Sequence, residues 1–284
     1  MEFINWNGTL FPANRPIFSA SHRTVKYGDG LFESIRKFAG RLPFLDLHYA
    51  RLLRGMRALH YEVPDHFSPV FFQAEIEKLL AHQANARIRL SVFRQGAGRY
   101  LPEQNQVEFL IEASPLTNAN FTWPQKGIQV DLCDTIRIQP HALSGLKTCN
   151  SLPYVLAALY RKERQLDDCL LLNNTGHLVE ASSANLFLID PDGQLLTPDT
   201  NQGAIAGTLQ TLIWDLAATL AIPRQRQMIG IDALESAREV FLTNAIQGIR
   251  WVKSFRGQSY GHHQCQKIFT ALQEKVRENP KNSV

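Results

Sequence analysis

Cysteine is sparse in these 284 residues, and Cys133, Cys149, Cys169 and Cys265 follow no metal-ligand spacing. That excludes a zinc framework and reads as free thiols in a reducing cytoplasm. The tightest ligand group, His262-His263 with Cys265, lacks a fourth member, so no metal is expected. No apolar run is long enough to span a bilayer as a helix. The start, Met1-Glu-Phe-Ile-Asn-Trp6, has no basic residues leading into an apolar stretch, so no export signal is expected and a cytoplasmic location is. Charge of one sign is also in short supply: 30 Lys and Arg against 26 Asp and Glu leave +4. So small and dispersed an excess does not point to nucleic acid, and the Arg51, Arg54, Arg57 stripe carries no interleaved aromatics. A Walker A loop, a nucleophile elbow and a zinc-protease helix are all missing.

What is present is enough apolar sequence, 44%, for one large domain or two ordinary ones. Asn5-Trp-Asn-Gly8 reads as a hairpin turn, and Gly28-Asp-Gly30 punctuates the approach to Leu31-Phe-Glu-Ser-Ile35. Asp46 stands where the N-cap of a helix carrying Leu52, Leu53, Met56 and Leu59 is expected. A second helix is expected over 68–83 and strands over 88–93 and 107–113. The polar, turn-rich Ser114-Pro-Leu-Thr-Asn-Ala-Asn120 separates two halves. We expect an N-terminal α/β domain over 1–115, a linker over 116–125 and a C-terminal α/β domain over 126–284.

In the second half, strands are expected at 128–132 and 240–242 and hairpins at 169–180 and 185–196. Amphipathic helices are expected around Leu152, Val155, Leu156 and Leu159, from Gly207 onward, and around Ile268, Phe269, Leu272 and Val276. Strand meanders mixed with helices are not a βαβ alternation, which argues against a Rossmann domain.

Three features carry chemistry. Lys147 lies in Pro140-His-Ala-Leu-Ser-Gly-Leu-Lys147-Thr-Cys-Asn150, a stretch otherwise free of charge. An amine there becomes a nucleophile when burial or a nearby cation lowers its pKa; the ordinary alternative is a solvated lysine. Glu180-Ala-Ser-Ser-Ala-Asn185 puts a carboxylate at a strand end before small residues that admit a flat ligand; alone, Glu180 is equally an ion-pair partner. Gly207-Thr208 opens directly into a helix whose first N–H groups can hold a phosphate; alone, it is an ordinary helix entry. Together, a reactive lysine, a carboxylate for a pyridinium nitrogen and a phosphate-holding helix start are the three needs of pyridoxal phosphate.

Over nearly the whole chain, from Tyr27-Gly-Asp-Gly-Leu-Phe-Glu-Ser-Ile-Arg36 to Phe241-Leu-Thr-Asn-Ala-Ile246, these residues resemble the class IV, fold-type IV pyridoxal-phosphate family. It includes branched-chain aminotransferases, D-amino-acid aminotransferases and aminodeoxychorismate lyases. The resemblance implies a two-domain, D-amino-acid aminotransferase-like fold and a homodimer, with no nucleic-acid or membrane partner. It makes Lys147 the Schiff-base lysine and Glu180, with Ala184-Asn185-Leu-Phe187, the ring-nitrogen signature. It assigns Arg51 of His48-Tyr-Ala-Arg51-Leu, with Ser183, Gly207, Thr208, Leu209, Asn244 and Ala245, to cofactor binding. Tyr27, Phe32 and Arg36 fall at substrate-side positions, and either Arg89 or Arg94 is placed to bind a carboxylate bidentately.

The departures concern the substrate. Many relatives have Gly-Ile-Thr-Arg where this chain has Gly207-Thr-Leu-Gln210, and branched-chain enzymes carry tyrosine where Ser151 stands. Thr243-Asn-Ala245 looks closer to the lyases, whereas Phe32-Glu-Ser-Ile-Arg36 looks closer to the branched-chain enzymes. The expected activity is amino transfer between an amino acid, branched-chain among the candidates, and a 2-oxo acid. The alternative is elimination of pyruvate from aminodeoxychorismate to give 4-aminobenzoate.

Overall fold

The structure, a computed structural model, describes residues 3–81 and 83–278. The described chain divides into two compact units: residues up to Asn120 with Leu146–Asn150, and Phe121–Gly145 with the residues from Ser151 onward.

Unit 1 opens on a hairpin, β1 (Phe3–Trp6) and β2 (Thr9–Pro12). Its Asn7-Gly8 turn has φ of 48° and 86°, the left-handed pair that a two-residue hairpin needs. The short helix α1 (Arg23–Tyr27) ends on Gly28 at φ 64°, and the chain enters β3 (Gly30–Lys37). Helices α2 (Leu45–Ala58) and α3 (Pro69–Leu80) follow, then β4 (Ala86–Arg94) and β5 (Val107–Pro115). Ser68 caps α3 by accepting from Phe71 N, with Pro69 in the first turn. Asp46, expected as the cap of α2, instead lies inside its first turn, where it complements the helix dipole.

The sheet is antiparallel, in the order β2-β1-β5-β4-β3. Two-residue alternation places Leu31, Ile35, Ile88, Leu90, Phe109 and Ile111 on one face, packed with Met56 of α2 and with Phe72 and Ile76 of α3. Phe32, Arg36 and Arg89 share the other face. Residues 146–150 attach to β3 through its backbone: Phe32 N donates to Lys147 O at 2.9 Å, and Cys149 N donates to Gly30 O at 2.8 Å.

Unit 2 runs β6 (Ile128–Ile138), α4 (Leu152–Glu163), β7 (Asp168–Asn173), β8 (Leu178–Ala181), β9 (Asn185–Ile189), β10 (Leu195–Pro198), α5 (Thr208–Thr219) and β11 (Arg224–Gln227). It continues with α6 (Ile231–Ser236), β12 (Glu239–Asn244), β13 (Gly248–Phe255), β14 (Gln258–Ser259) and α7 (His263–Glu278). The strands form one mixed sheet, β11-β10-β9-β12-β13-β6-β7-β8, with β14 paired to β13. Strands β7 to β10 are buried throughout, and Phe187 stacks on Phe241 across β9 and β12 at 5.1 Å between ring centres. Glu239 accepts from Gln264 N and Cys265 N, so the carboxylate beside the His262-His263-Cys265 group caps α7.

Helix α4 departs from the usual amphipathic pattern. Its apolar stripe, Leu152, Val155, Leu156 and Leu159, is exposed, and Ala157 and Tyr160 make the buried contact. Periodicity fixes where the stripe lies but not which way it faces.

Candidate active site

In unit 2 the site is built around Glu180, at the end of β8 and only 3% exposed. Its Oε1 accepts the Tyr154 hydroxyl at 2.6 Å, and its Oε2 accepts Asn185 Nδ2 at 3.3 Å. Ile205 N donates to both oxygens at 3.3 Å. Burial first, and then the charge of Glu180, push the Tyr154 phenol far above its ordinary range, so it remains a donor.

Asn185 ties this carboxylate to the start of α5. Its Nδ2 also donates to Ile205 O at 2.8 Å, and a Cβ on Gly207 would lie 1.9 Å from its Oδ1. Gly207 sits at φ −68°, so what it provides here is close approach rather than an unusual backbone angle. Gly207→Ala is therefore expected to cost about 1–3 kcal/mol of stability through overpacking. Chemical denaturation of Gly207→Ala, Asn185→Ala and the double variant checks this: the penalty should shrink once Asn185 is gone. Equal penalties in both backgrounds would exclude the contact as the cause.

The N-terminus of α5 has no side-chain cap and no acidic residue in its first turn, which leaves its amides suited to an anion. Thr208 and Leu209, its first two residues, are buried. Thr243, opposite Asn185 in the β12–β9 register and so on the same face, has a buried hydroxyl with no hydrogen-bond partner among the described residues. Asn244 Oδ1 accepts from Ile246 N and Gln247 N, closing a tight turn around Ala245, while its Nδ2 donates to Ser183 O. The Ser183 hydroxyl donates to Asp168, a fully buried carboxylate that also receives Ser182 and Arg250.

In unit 1, Lys147 Nζ lies 4.4 Å from the centre of the Phe32 ring, and the Arg89 guanidinium lies 3.7 Å from the same ring. Lys147, Phe32 and Arg89 therefore come together on the sheet face away from the helices. Arg94 does not join them, because strand alternation turns it to the helix-covered face with Leu90 and Val92. There its Nε donates to Asp29 at 2.9 Å, its Nη1 to Asn105 at 2.5 Å and its Nη2 to Leu59 O at 2.7 Å. Burial raises the Asp29 pKa, but hydrogen bonds from Arg94 and Arg23 outweigh it and hold the carboxyl below its ordinary value. Arg36 donates through Nη2 to Asn118 O and Asn120 O, and Tyr27 packs on Tyr100 and Arg23.

Arg51 is buried on α2, with Nε 2.7 Å from Glu33 Oε1 and Nη2 2.5 Å from Oε2. His48 Nδ1 is 2.6 Å from the same Oε2. Burial raises the Glu33 pKa, but the Arg51 charge and the His48 and Arg51 hydrogen bonds outweigh it and bring it down to about 2. Sequence reading missed Glu33 and Tyr154, although the His-x-x-Arg spacing on one helix face was a usable sign of a buried acceptor for both side chains.

A solved structure of 4-amino-4-deoxychorismate lyase from Pseudomonas aeruginosa is 27% identical, with a TM-score of 0.82, over 98% of this chain and 99% of that one. Aminodeoxychorismate lyase of Vibrio harveyi is 27% identical over 235 residues, covering 80% of this chain and 83% of that protein. A probable branched-chain-amino-acid aminotransferase of Thermotoga maritima is 27% identical over 276 residues, 95% of this chain and 93% of that protein. The fold is that of the fold-type IV pyridoxal-phosphate enzymes, as expected. Residues 30–255 match the family model of amino-transferase class IV, and the chain belongs to that family. The family depends on pyridoxal phosphate. The uncapped start of α5, the orphaned Thr243 hydroxyl and the buried Glu180 carboxylate fit that group.

Proposed function

We propose that this enzyme moves an amino group between an amino acid and a 2-oxo acid, using pyridoxal phosphate. The observation that carries the reading is Glu180, a buried carboxylate fixed by Tyr154 and Asn185 and tied through Asn185 to an uncapped helix start. When bound, the cofactor supplies an electron sink that acidifies the Cα–H of an attached amine. Lys147 would be the point of covalent attachment; once a substrate amine displaces it, its freed amine would take the Cα proton and deliver it to the cofactor carbon from which it was displaced. Glu180 holds a proton on the ring nitrogen. The amides of Thr208 and Leu209 following Gly207, with Ser183, Asn244, Ala245 and Arg51, make the phosphate side. Glu33 orients the Arg51 guanidinium for that task. Arg89, beside Phe32 and Lys147, is the arginine for a substrate carboxylate, since Arg94 has committed both ends of its fork. Tyr27, Phe32 and Arg36 complete the substrate side.

The same reading makes the enzyme a cytoplasmic homodimer. The exposed apolar stripe of α4 is surface of the kind that association covers. No helix among the described residues is long and apolar enough to cross a membrane.

A second reading, elimination of pyruvate from aminodeoxychorismate, has equal support in identity, 27% to the lyases and 27% to the Thermotoga maritima aminotransferase. Both reactions start by removing the same proton, so product stoichiometry separates them. Under the first reading, turnover of a panel of amino acids requires an added 2-oxo acid and yields the matching amino acid. Release of pyruvate and 4-aminobenzoate from aminodeoxychorismate with no acceptor, and no amino transfer across the panel, would establish the second.

A further inference from the structure

We infer that Tyr154 is a positioning residue whose hydroxyl sets both the orientation and the basicity of the Glu180 carboxylate. The inference rests on the reading of Glu180 as the ring-nitrogen partner. The geometry is specific. Tyr154 lies in the first turn of α4, 26 residues before Glu180, and its ring packs on a cluster that includes Ala157, Leu171 and Val179. Its hydroxyl makes the shortest of the hydrogen bonds given above for Glu180, 2.6 Å against 3.3 Å from Asn185 and from Ile205 N. That short bond holds Oε1 toward α4 while Asn185 Nδ2 meets Oε2.

The same bond acts on protonation. A donor to the charged form of an acid stabilises that form and lowers its pKa. Burial works the other way, by penalising the charge. Tyr154 therefore offsets the burial of Glu180 and keeps the carboxylate ionised. Because the phenol is itself held protonated by burial and by Glu180, it stays a donor throughout the working pH range. Glu180 must be ionised to hold a protonated ring nitrogen, so affinity for the cofactor falls on the acid side as Glu180 takes up a proton. Removing the Tyr154 hydroxyl moves that acid limb to higher pH.

The test is equilibrium titration of the full chain with pyridoxal phosphate, followed by absorbance and protein fluorescence across a pH series. Tyr154→Phe keeps the ring and its packing while removing only the hydroxyl. It should weaken binding about tenfold, the effect of one hydrogen bond to a charged group. The acid limb should move up by about one pH unit. Incorporating 3-fluorotyrosine at position 154, a more acidic donor in the same place, should move the limb the opposite way; this second variant decides the matter if Tyr154→Phe folds poorly. Ring packing alone would not move a pH midpoint in either direction. In a Glu180→Gln background the Tyr154→Phe shift should vanish, since no ionisable partner remains. If Glu180→Gln changes the affinity and its pH profile but neither Tyr154 variant does, the role of Tyr154 is overturned. If Glu180→Gln also matches the wild type, the reading of Glu180 itself fails.

Discussion

Replacing Lys147 with alanine should lower the rate of amino transfer by about a thousandfold or more while leaving the fold of unit 1 intact. Under the proposed role of Lys147, the magnitude follows from losing both the covalent attachment point and the positioned base, since general acid–base catalysis alone contributes about 10²–10⁴-fold. The fold should survive because the backbone, not the amine, holds this segment. Phe32 N donates to Lys147 O, Cys149 N donates to Gly30 O, and Leu31 bridges Thr148, none of which needs the side chain. Truncation does take the amine away from the face of the Phe32 ring, an attraction worth about 0.5–2 kcal/mol. Borohydride reduction after incubation with pyridoxal phosphate should label residue 147 in the wild type and leave the variant unlabelled at that position. Activity within tenfold of wild type would remove Lys147 from the chemistry.

The reach of sequence reading differs between local and long-range features for a physical reason. Elements whose signal is local came through: the Asn5–Gly8 hairpin turn, the helix expected from position 68 and the Gly207 helix entry each depend on residues within one turn. Contacts across long sequence distances did not. Nothing near Glu180 announces that Tyr154 will reach it, because that depends on how α4 packs on β6 and β7. Likewise, nothing in residues 146–150 announces that their backbone pairs with β3, more than a hundred positions earlier. The α4 stripe shows the limit of periodicity, for a 3.6-residue repeat defines a face and says nothing about what covers it. The choice between Arg89 and Arg94 was more legible than it looked. Ile88, Leu90 and Val92 share parity with Arg94, so the apolar run already assigned Arg94 to the covered face and Arg89 to the open one.

The buried cluster of Glu33, Arg51 and His48 should give the largest stability effect in unit 1. Glu33 is 1% exposed and Arg51 8%, so neither charge has appreciable access to water. Glu33→Ala leaves the guanidinium buried without that carboxylate, and breaking such a pair costs about 3–5 kcal/mol. Replacing both partners, as in Glu33→Leu with Arg51→Met, removes the buried guanidinium as well and should recover much of that loss. The double variant should still bind pyridoxal phosphate weakly if Arg51 serves the phosphate, which separates the structural role of the pair from the ligand-directed one. The pH dependence has a definite sign. Glu33 titrates at about 2 in the folded chain against an ordinary 4.5, so its contribution is complete above the higher value. It is lost as pH falls from there toward the lower one, and amounts to about 3 kcal/mol. Urea denaturation at steps between pH 6 and pH 2 should show the wild type losing this increment relative to Glu33→Gln, whose curve lacks that titration. Parallel curves for the two proteins would mean that Glu33 is not held ionised by Arg51 and His48.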